Sequence, residues 1–233
     1  MSIFGAVLIK MGQIYAGIPK DLVLEILKTG KIKHFVETGT NVGNTAIWAG
    51  QYFEQVYTIE IMEEYSKQAS LRPDCPKNIK FCVGSSTDVL PTIVKEVDDN
   101  ALFWLDGHYS GQGTGGSDNE CPVMDEIRIA AACKNAIILI DDARCFYGPP
   151  PSPHKPEQWP GIAEIFIQLN KYFPGHYSTI VDDVIFCVPS NYKNTLDTDW
   201  LKHFNERFLS KDSAPQPDGK SFINKIKSAF SNT

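Results

Sequence analysis

Three aspartates stand where two apolar runs end: Asp106 closes ALFWL, and Asp141 and Asp142 follow AIILI. If these runs are neighbouring parallel strands, about 4.8 Å apart, carboxylates at their carboxyl ends meet over one site. Three acids that close repel one another unless protons or a cation intervene. A hard divalent ion such as Mg²⁺ suits such oxygen ligands, which makes Asp106, Asp141 and Asp142 candidate metal ligands. His108 lies two residues beyond Asp106, and an imidazole with an ordinary pKa near 6.5 suits proton transfer. Asp106 and His108 are therefore the candidate catalytic residues. The plainer alternative is structural: one acid caps the next helix and another lines a pocket. Arg144, just after the acid pair, either binds an anionic partner or pairs with Asp142.

Positioning these groups requires a particular scaffold. Short apolar, β-branched runs recur between helical patterns at His34 to Glu37, Val56 to Ile61, Ile79 to Val83, Ala101 to Asp106 and Ala136 to Asp141. Continuous rather than alternating hydrophobicity implies strands buried on both faces, as in a doubly wound, mostly parallel α/β sheet. Pro19 and Asp21 open an earlier helix that Gly30 closes, and Ile162 to Tyr172 reads as a later one. YSTIV and VIFCV around Asp182-Asp183 read as a hairpin, so the sheet is expected to finish with an antiparallel edge. Two segments interrupt the pattern: residues 107–116 hold five of the 17 glycines and residues 149–160 six of the 15 prolines. Both follow strand ends, where open α/β sheets bind ligands. Tyr109, Tyr147, His154 and Trp159 lie on these loops and could offer faces to a sugar or an aromatic molecule.

The segment FVETGTNVGNTA places Glu37 at the end of the first strand, then Gly39, Thr40, Asn41 and Gly43 in a turn, then a helix start near Asn44. Glycines there let the backbone approach a ligand and supply donors from the helix N-terminus. The G-x-x-x-G spacing differs from the G-x-G-x-x-G of dinucleotide sites. Glu37 suits a cationic, amino-acid-like ligand, or fixes the loop. Twenty-one residues after Gly39, Glu60 ends the second strand, where a carboxylate accepts both hydroxyls of a ribose. In GSSTDVLP, Ser86 and Asp88 either bond an adenine edge or cap a helix.

In that order the chain resembles the class I S-adenosylmethionine-dependent methyltransferases: ETGTNVG resembles their first motif, IE at 59–60 their ribose-binding acid and GSSTD their adenine-side motif. LDGHYSG at 105–111 with LIDDAR at 139–144 resembles the metal-dependent, macrocin-type sugar O-methyltransferases. The resemblance implies S-adenosylmethionine as cofactor, held by Glu37, Gly39, Thr40, Asn41, Gly43, Glu60, Ser86, Asp88 and Asp106. It also implies a Rossmann-like seven-stranded sheet in the order 3-2-1-4-5-7-6. GQGTGGSDNE at 111–120 is longer than in compact relatives, which separates Asp106 from Asp141 further along the chain.

At 233 residues and 26.0 kDa the chain is read as one domain over 1–210, with a helical extension at 1–30, and a linker and amphipathic helix over 211–233. In that helix Phe222, Ile223, Ile226 and Phe230 share a face flanked by lysines, which packs back or touches a membrane surface. The longest apolar stretch, Ile3 to Ile9, is far short of the roughly 20 residues a spanning helix needs. A net charge of −6 without a basic block argues against nucleic acid as a partner. Six cysteines with no C-x-x-C pair and no secretory signal read as reduced thiols in a cytoplasmic protein. The expected function is methylation of a hydroxyl on a small molecule, a sugar or glycosylated metabolite ahead of a phenol; a homo-oligomer is left open. The alternatives are a metal-independent enzyme of the same fold acting on nitrogen or carboxylate, and a non-catalytic cofactor-binding protein.

Overall fold

In the computed structural model the described residues are 17–111, 114–148 and 150–205, together with the backbone of 206–208. The expectations for the first 16 residues and for the tail over 211–233 lie outside them. Residues up to Thr195 among these form one unit; Leu196 onward belongs to a second.

The first unit alternates strand and helix: α1 (Lys20–Thr29), β1 (His34–Thr38), α2 (Asn44–Ala49), β2 (Gln55–Glu60), α3 (Glu63–Ser70), β3 (Ile79–Val83), α4 (Ser86–Ile93), β4 (Leu102–Leu105), α5 (Val123–Ala130), β5 (Ile137–Ile140), α6 (Ile162–Tyr172), β6 (His176–Val181) and β7 (Val184–Pro189). The sheet order is β3-β2-β1-β4-β5-β7-β6, with β7 antiparallel to both neighbours and every other pairing parallel. The expected order and the antiparallel edge are both present. Every residue of β4 and β5 is buried, as strands covered on both faces must be.

Register divides the sheet into two faces. Val36, Tyr57, Phe103, Ile138 and Cys187 align across five strands. They form one apolar cluster with Leu90 of α4, Ile127 of α5 and Ile165 of α6. One residue along, Glu37, Thr58 and Trp104 occupy the opposite face, where a buried carboxyl needs a donor. The β6–β7 hairpin turns on Asp182 and Asp183, and Asp182 takes a left-handed φ of 53°. That conformation suits aspartate, whose short polar side chain tolerates it.

The last helix, α7 (Lys193–Phe208), carries the described part of the second unit. There Trp200 stacks on Phe204 at 5.0 Å, and His203 faces Asp199 at 3.2 Å one turn away. Among the described residues no helix is long and apolar enough to cross a membrane.

Candidate functional site

A cleft of about 440 Å³ opens beyond the carboxyl ends of β1, β2 and β4. Its floor begins at Gly39, whose φ is 86°. A Cβ there would collide with the Asp106 carbonyl oxygen, so only glycine lets the β1 exit come this close to the β4 exit. Asn41, at φ 47°, then turns its backbone N–H onto Glu60 Oε2 at 2.8 Å. The Met62 N–H bonds Glu60 Oε1 at 3.0 Å. Both oxygens of this cleft-lining carboxylate are thus fixed by flanking loops, and a carboxylate retains further acceptor sites for a ligand.

Of the residues singled out for cofactor binding, Gly39, Asn41, Glu60, Ser86 and Asp106 line this cleft. The others have different surroundings. Glu37 is buried and accepts a 2.5 Å hydrogen bond from the Thr58 hydroxyl, which in turn meets Thr40 Oγ1 at 2.6 Å. Glu37 is thus linked through Thr58 of β2 to the turn, and burial raises its carboxyl well above the usual range. Gly43 precedes α2 at φ 79°, and a Cβ there would press on Ala69 of α3. Asp88 is exposed in the first turn of α4. Ile61 was missed by sequence reading: it is 47% exposed and lines the cleft beside Glu60. An apolar residue in this place suits the flat face of a base. Its only signal was adjacency to the strand-ending acid.

At the opposite end the expected acids do gather, around an imidazole. His108 Nε2 lies 3.0 Å from Asp142 Oδ2, and Nδ1 lies 3.8 Å from Asp106 Oδ1. Asp142 is left-handed at φ 55°, as Asp182 is in the hairpin at φ 53°. Its other oxygen meets Arg144 Nη1 at 2.6 Å, and its N–H donates to Asp141 Oδ1 at 2.8 Å. Arg144 is held by Asp183, which contacts the guanidinium and accepts the Arg144 N–H at 2.9 Å. Of the two roles considered for Arg144, pairing with Asp142 is the one adopted. Asp183, from the hairpin turn, is a further member that sequence reading left as a turn residue.

The charges follow from this packing. Burial, then repulsion from Asp141 and Asp142, pushes the Asp106 carboxyl up to about 8 against the pull of His108. Burial and Asp142 push Asp141 to about 6. Burial works to raise Asp142, but His108 and Arg144 prevail and hold it below the usual range. Burial works to lower His108, and the surrounding carboxylates outweigh it and raise it.

The three aspartates are thus neighbours, yet they do not present a shared ligand set in this arrangement. Asp142 Oδ2 is bonded to His108 and Oδ1 to Arg144, and among the described residues no group of three His, Cys, Asp or Glu side chains is disposed to hold a metal ion. His108 occupies the space between Asp106 and Asp142 that an ion bridging them would need.

Glu126 was also missed. It sits in the first turn of α5, where a sequence offers only an ordinary helix-starting acid, yet it is 1% exposed. Its Oε1 has no hydrogen-bond partner among the described residues. A Cβ on Gly107 would lie 3.0 Å from Thr38 Oγ1 and 3.1 Å from that oxygen, so the β4 exit passes close over it.

No family model matches the chain, and no curated protein matches its sequence. Solved structures do. A chain from Staphylococcus aureus bearing the name of a caffeoyl-CoA O-methyltransferase aligns with TM-score 0.52 and 12% identity, over 76% of this chain and 86% of that one. The likeness is one of fold. A chain from Streptococcus mutans, named as a methyltransferase and in complex with S-adenosylhomocysteine, aligns at TM-score 0.48 and 12% identity over 75% and 99% of the two chains. An rRNA methylase from Streptococcus thermophilus aligns at 0.47 and 12%, over 76% and 98%.

Proposed function

We propose that this chain transfers a methyl group from S-adenosylmethionine to a hydroxyl oxygen of a small molecule. The observation that carries this reading is one cleft with two chemically different ends: a fixed carboxylate, Glu60, and a buried imidazole, His108, held between Asp106 and Asp142. Glu60 binds the ribose hydroxyls, Ile61 and Ser86 border the adenine, and Gly39 and Asn41 bring backbone against the amino-acid part. When bound, S-adenosylmethionine supplies an electrophilic methyl carbon on a sulfonium and departs as S-adenosylhomocysteine.

The chain's own residues supply the rest. An alcohol is a poor nucleophile until its proton leaves, and proton removal by a positioned side chain contributes about 10²–10⁴-fold in rate. His108 Nδ1, the nitrogen not bonded to Asp142, is placed to take the hydroxyl proton, and the oxygen so freed would attack the methyl group of the bound donor. Asp142 fixes the ring and stabilises the imidazolium, as Arg144 and Asp183 fix Asp142. Holding both reactants in one cleft supplies much of the remaining acceleration. The rim carries Ser110, Thr114, Ser117, Asp118 and Asn119; these hydroxyl, amide and carboxylate groups suit a polyol, which supports a sugar or glycosylated acceptor over a phenol. With a net charge of −6, a small molecule is favoured over a nucleic acid. Six free thiols agree with a reducing, cytoplasmic setting.

The second reading keeps the divalent cation. Its support is the gathering of Asp106, Asp141 and Asp142, whose mutual repulsion a cation would relieve. It requires His108 to leave the space between Asp106 and Asp142. One experiment separates the readings: methyl release from S-adenosylmethionine across a panel of sugars, phenols and amines, in EDTA and after adding Mg²⁺. Turnover of hydroxyl acceptors in EDTA supports the imidazole mechanism; turnover only with Mg²⁺ replaces it with the cation. Binding of S-adenosylhomocysteine without transfer to any acceptor would leave a cofactor-binding protein.

A further inference from the structure

The two loops that frame His108 are joined by a buried carboxylate that the mechanism above does not use. Glu120 ends the glycine-rich segment and is 1% exposed. Its Oε2 accepts the Trp159 indole N–H at 2.9 Å and the Lys155 backbone N–H at 3.0 Å, and lies 3.3 Å from His154 Nδ1. Its backbone is engaged as well. The Glu120 N–H donates to Gln158 Oε1 at 2.8 Å, and its carbonyl accepts the Tyr109 N–H at 2.7 Å. Lys155 Nζ adds a second tie to the Ser117 carbonyl at 2.6 Å. A charged acceptor with several donors is among the stronger hydrogen-bonded arrangements, and removing it leaves buried donors unpaired.

What these bonds hold is the wall against which His108 rests. Trp159 is 9% exposed, and its ring meets the His108 ring edge-on at 5.5 Å. Phe146 backs the same indole at 6.0 Å, and His154 meets it at 5.5 Å. Tyr109, the residue after His108, packs edge-on against His154 at 5.7 Å while its N–H is bonded to Glu120. Glu120 therefore reaches His108 by two routes, through the indole that faces the ring and through the backbone of the next residue. Trp159, His154 and Tyr109, grouped above as faces for an acceptor, are instead packed on one another around this carboxylate.

We propose that Glu120 is the positioning residue of the site, fixing the His108 ring in its bond to Asp142 by locking the proline-rich loop onto the glycine-rich one. This rests on the proposed role of His108 for its catalytic meaning, but the geometry can be tested without any acceptor. The carbon-bound protons of His108 sit in the ring current of Trp159, so their NMR shifts report the placement of the two rings. The full chain is compared with Glu120→Gln, which keeps an acceptor oxygen for Trp159 and Lys155, with Glu120→Ala, and with Glu120→Asp, which draws the carboxylate back by one methylene. The His108 signals are assigned by their loss in His108→Gln. The expected result is a displacement beyond the line width in the Ala and Asp variants and recovery in Gln. His108 signals identical to the parent chain in both Ala and Asp overturn the proposal, as does equal displacement in Gln. If Glu120→Ala does not fold, Glu120→Asp decides alone. Failure of the parent chain to bind S-adenosylhomocysteine would instead count against methyl transfer, leaving the ring-placement result to be read on its own.

Discussion

Glu126 shows how a single buried group sets a pH dependence. Burial pushes its carboxyl up to about 6, from an ordinary value near 4.5. A carboxyl whose folded value lies above its unfolded one stabilises the native state while protonated, below the unfolded value. That stability is lost as pH climbs through the folded value. The shift corresponds to about 2 kcal/mol. Glu126→Gln should therefore match the parent chain near about pH 4 and exceed it by roughly 2 kcal/mol near about pH 8; urea unfolding at the two pH values measures the difference, and equal stability at both would refute it. Residues of this kind were not legible in the sequence. Glu126 in a first helical turn and Glu120 in a polar loop look like solvated acids, because only tertiary packing determines that they are buried. Asp106, His108, Asp141 and Asp142 were legible because each closes or follows a strand, and strand ends converge by geometry. Their mutual arrangement was not, since it depends on the left-handed turn at Asp142 and on Asp183 from a distant hairpin.

Among the elements, the β1–α2 turn leaves little room for change. Gly39 combines a positive φ with an approach to Asp106 that leaves no room for a Cβ. Gly39→Ala is expected to destabilise the chain by about 1–3 kcal/mol and to weaken S-adenosylhomocysteine binding; Gly111→Ala, also at positive φ but with nothing within 4 Å among the described residues, provides the comparison. Equal affinity in Gly39→Ala and the parent chain would show that the turn does not shape the cleft. The strands themselves were readable to within a residue or two, since runs such as AIILI carry their own burial requirement. The turn's glycines were readable as well, but their roles diverge: Gly39 shapes the cleft floor, whereas Gly43 serves helix packing against Ala69. Spacing alone does not distinguish the two, because both have positive φ.

For the whole molecule, ligand linkage gives the broadest test. A ligand bound only by the native state stabilises it by about 2.7 kcal/mol at a hundred times its Kd, and about 1 kcal/mol corresponds to about 2–4 °C in Tm for a chain of this size. S-adenosylhomocysteine at that excess should raise Tm by roughly 5–10 °C. NAD should not, since the first turn lacks the dinucleotide spacing. Glu60→Ala removes a charged acceptor worth about 1.5–3 kcal/mol and should abolish most of the shift; a full shift in that variant would relocate the ribose. Sheet order was available only through the resemblance of several motifs in sequence, because hydrophobic pattern places strands without saying which lie side by side.

The reversal of β7 has one further consequence. Because β6 runs forward and β7 returns, their turn lies at the same rim as the exits of the parallel strands, and it delivers Asp183 to Arg144. The final hairpin thus works as a doorpost for the acid–imidazole pair, so a one-residue insertion between Val181 and Val184 should slacken His108 although neither flanking residue touches it.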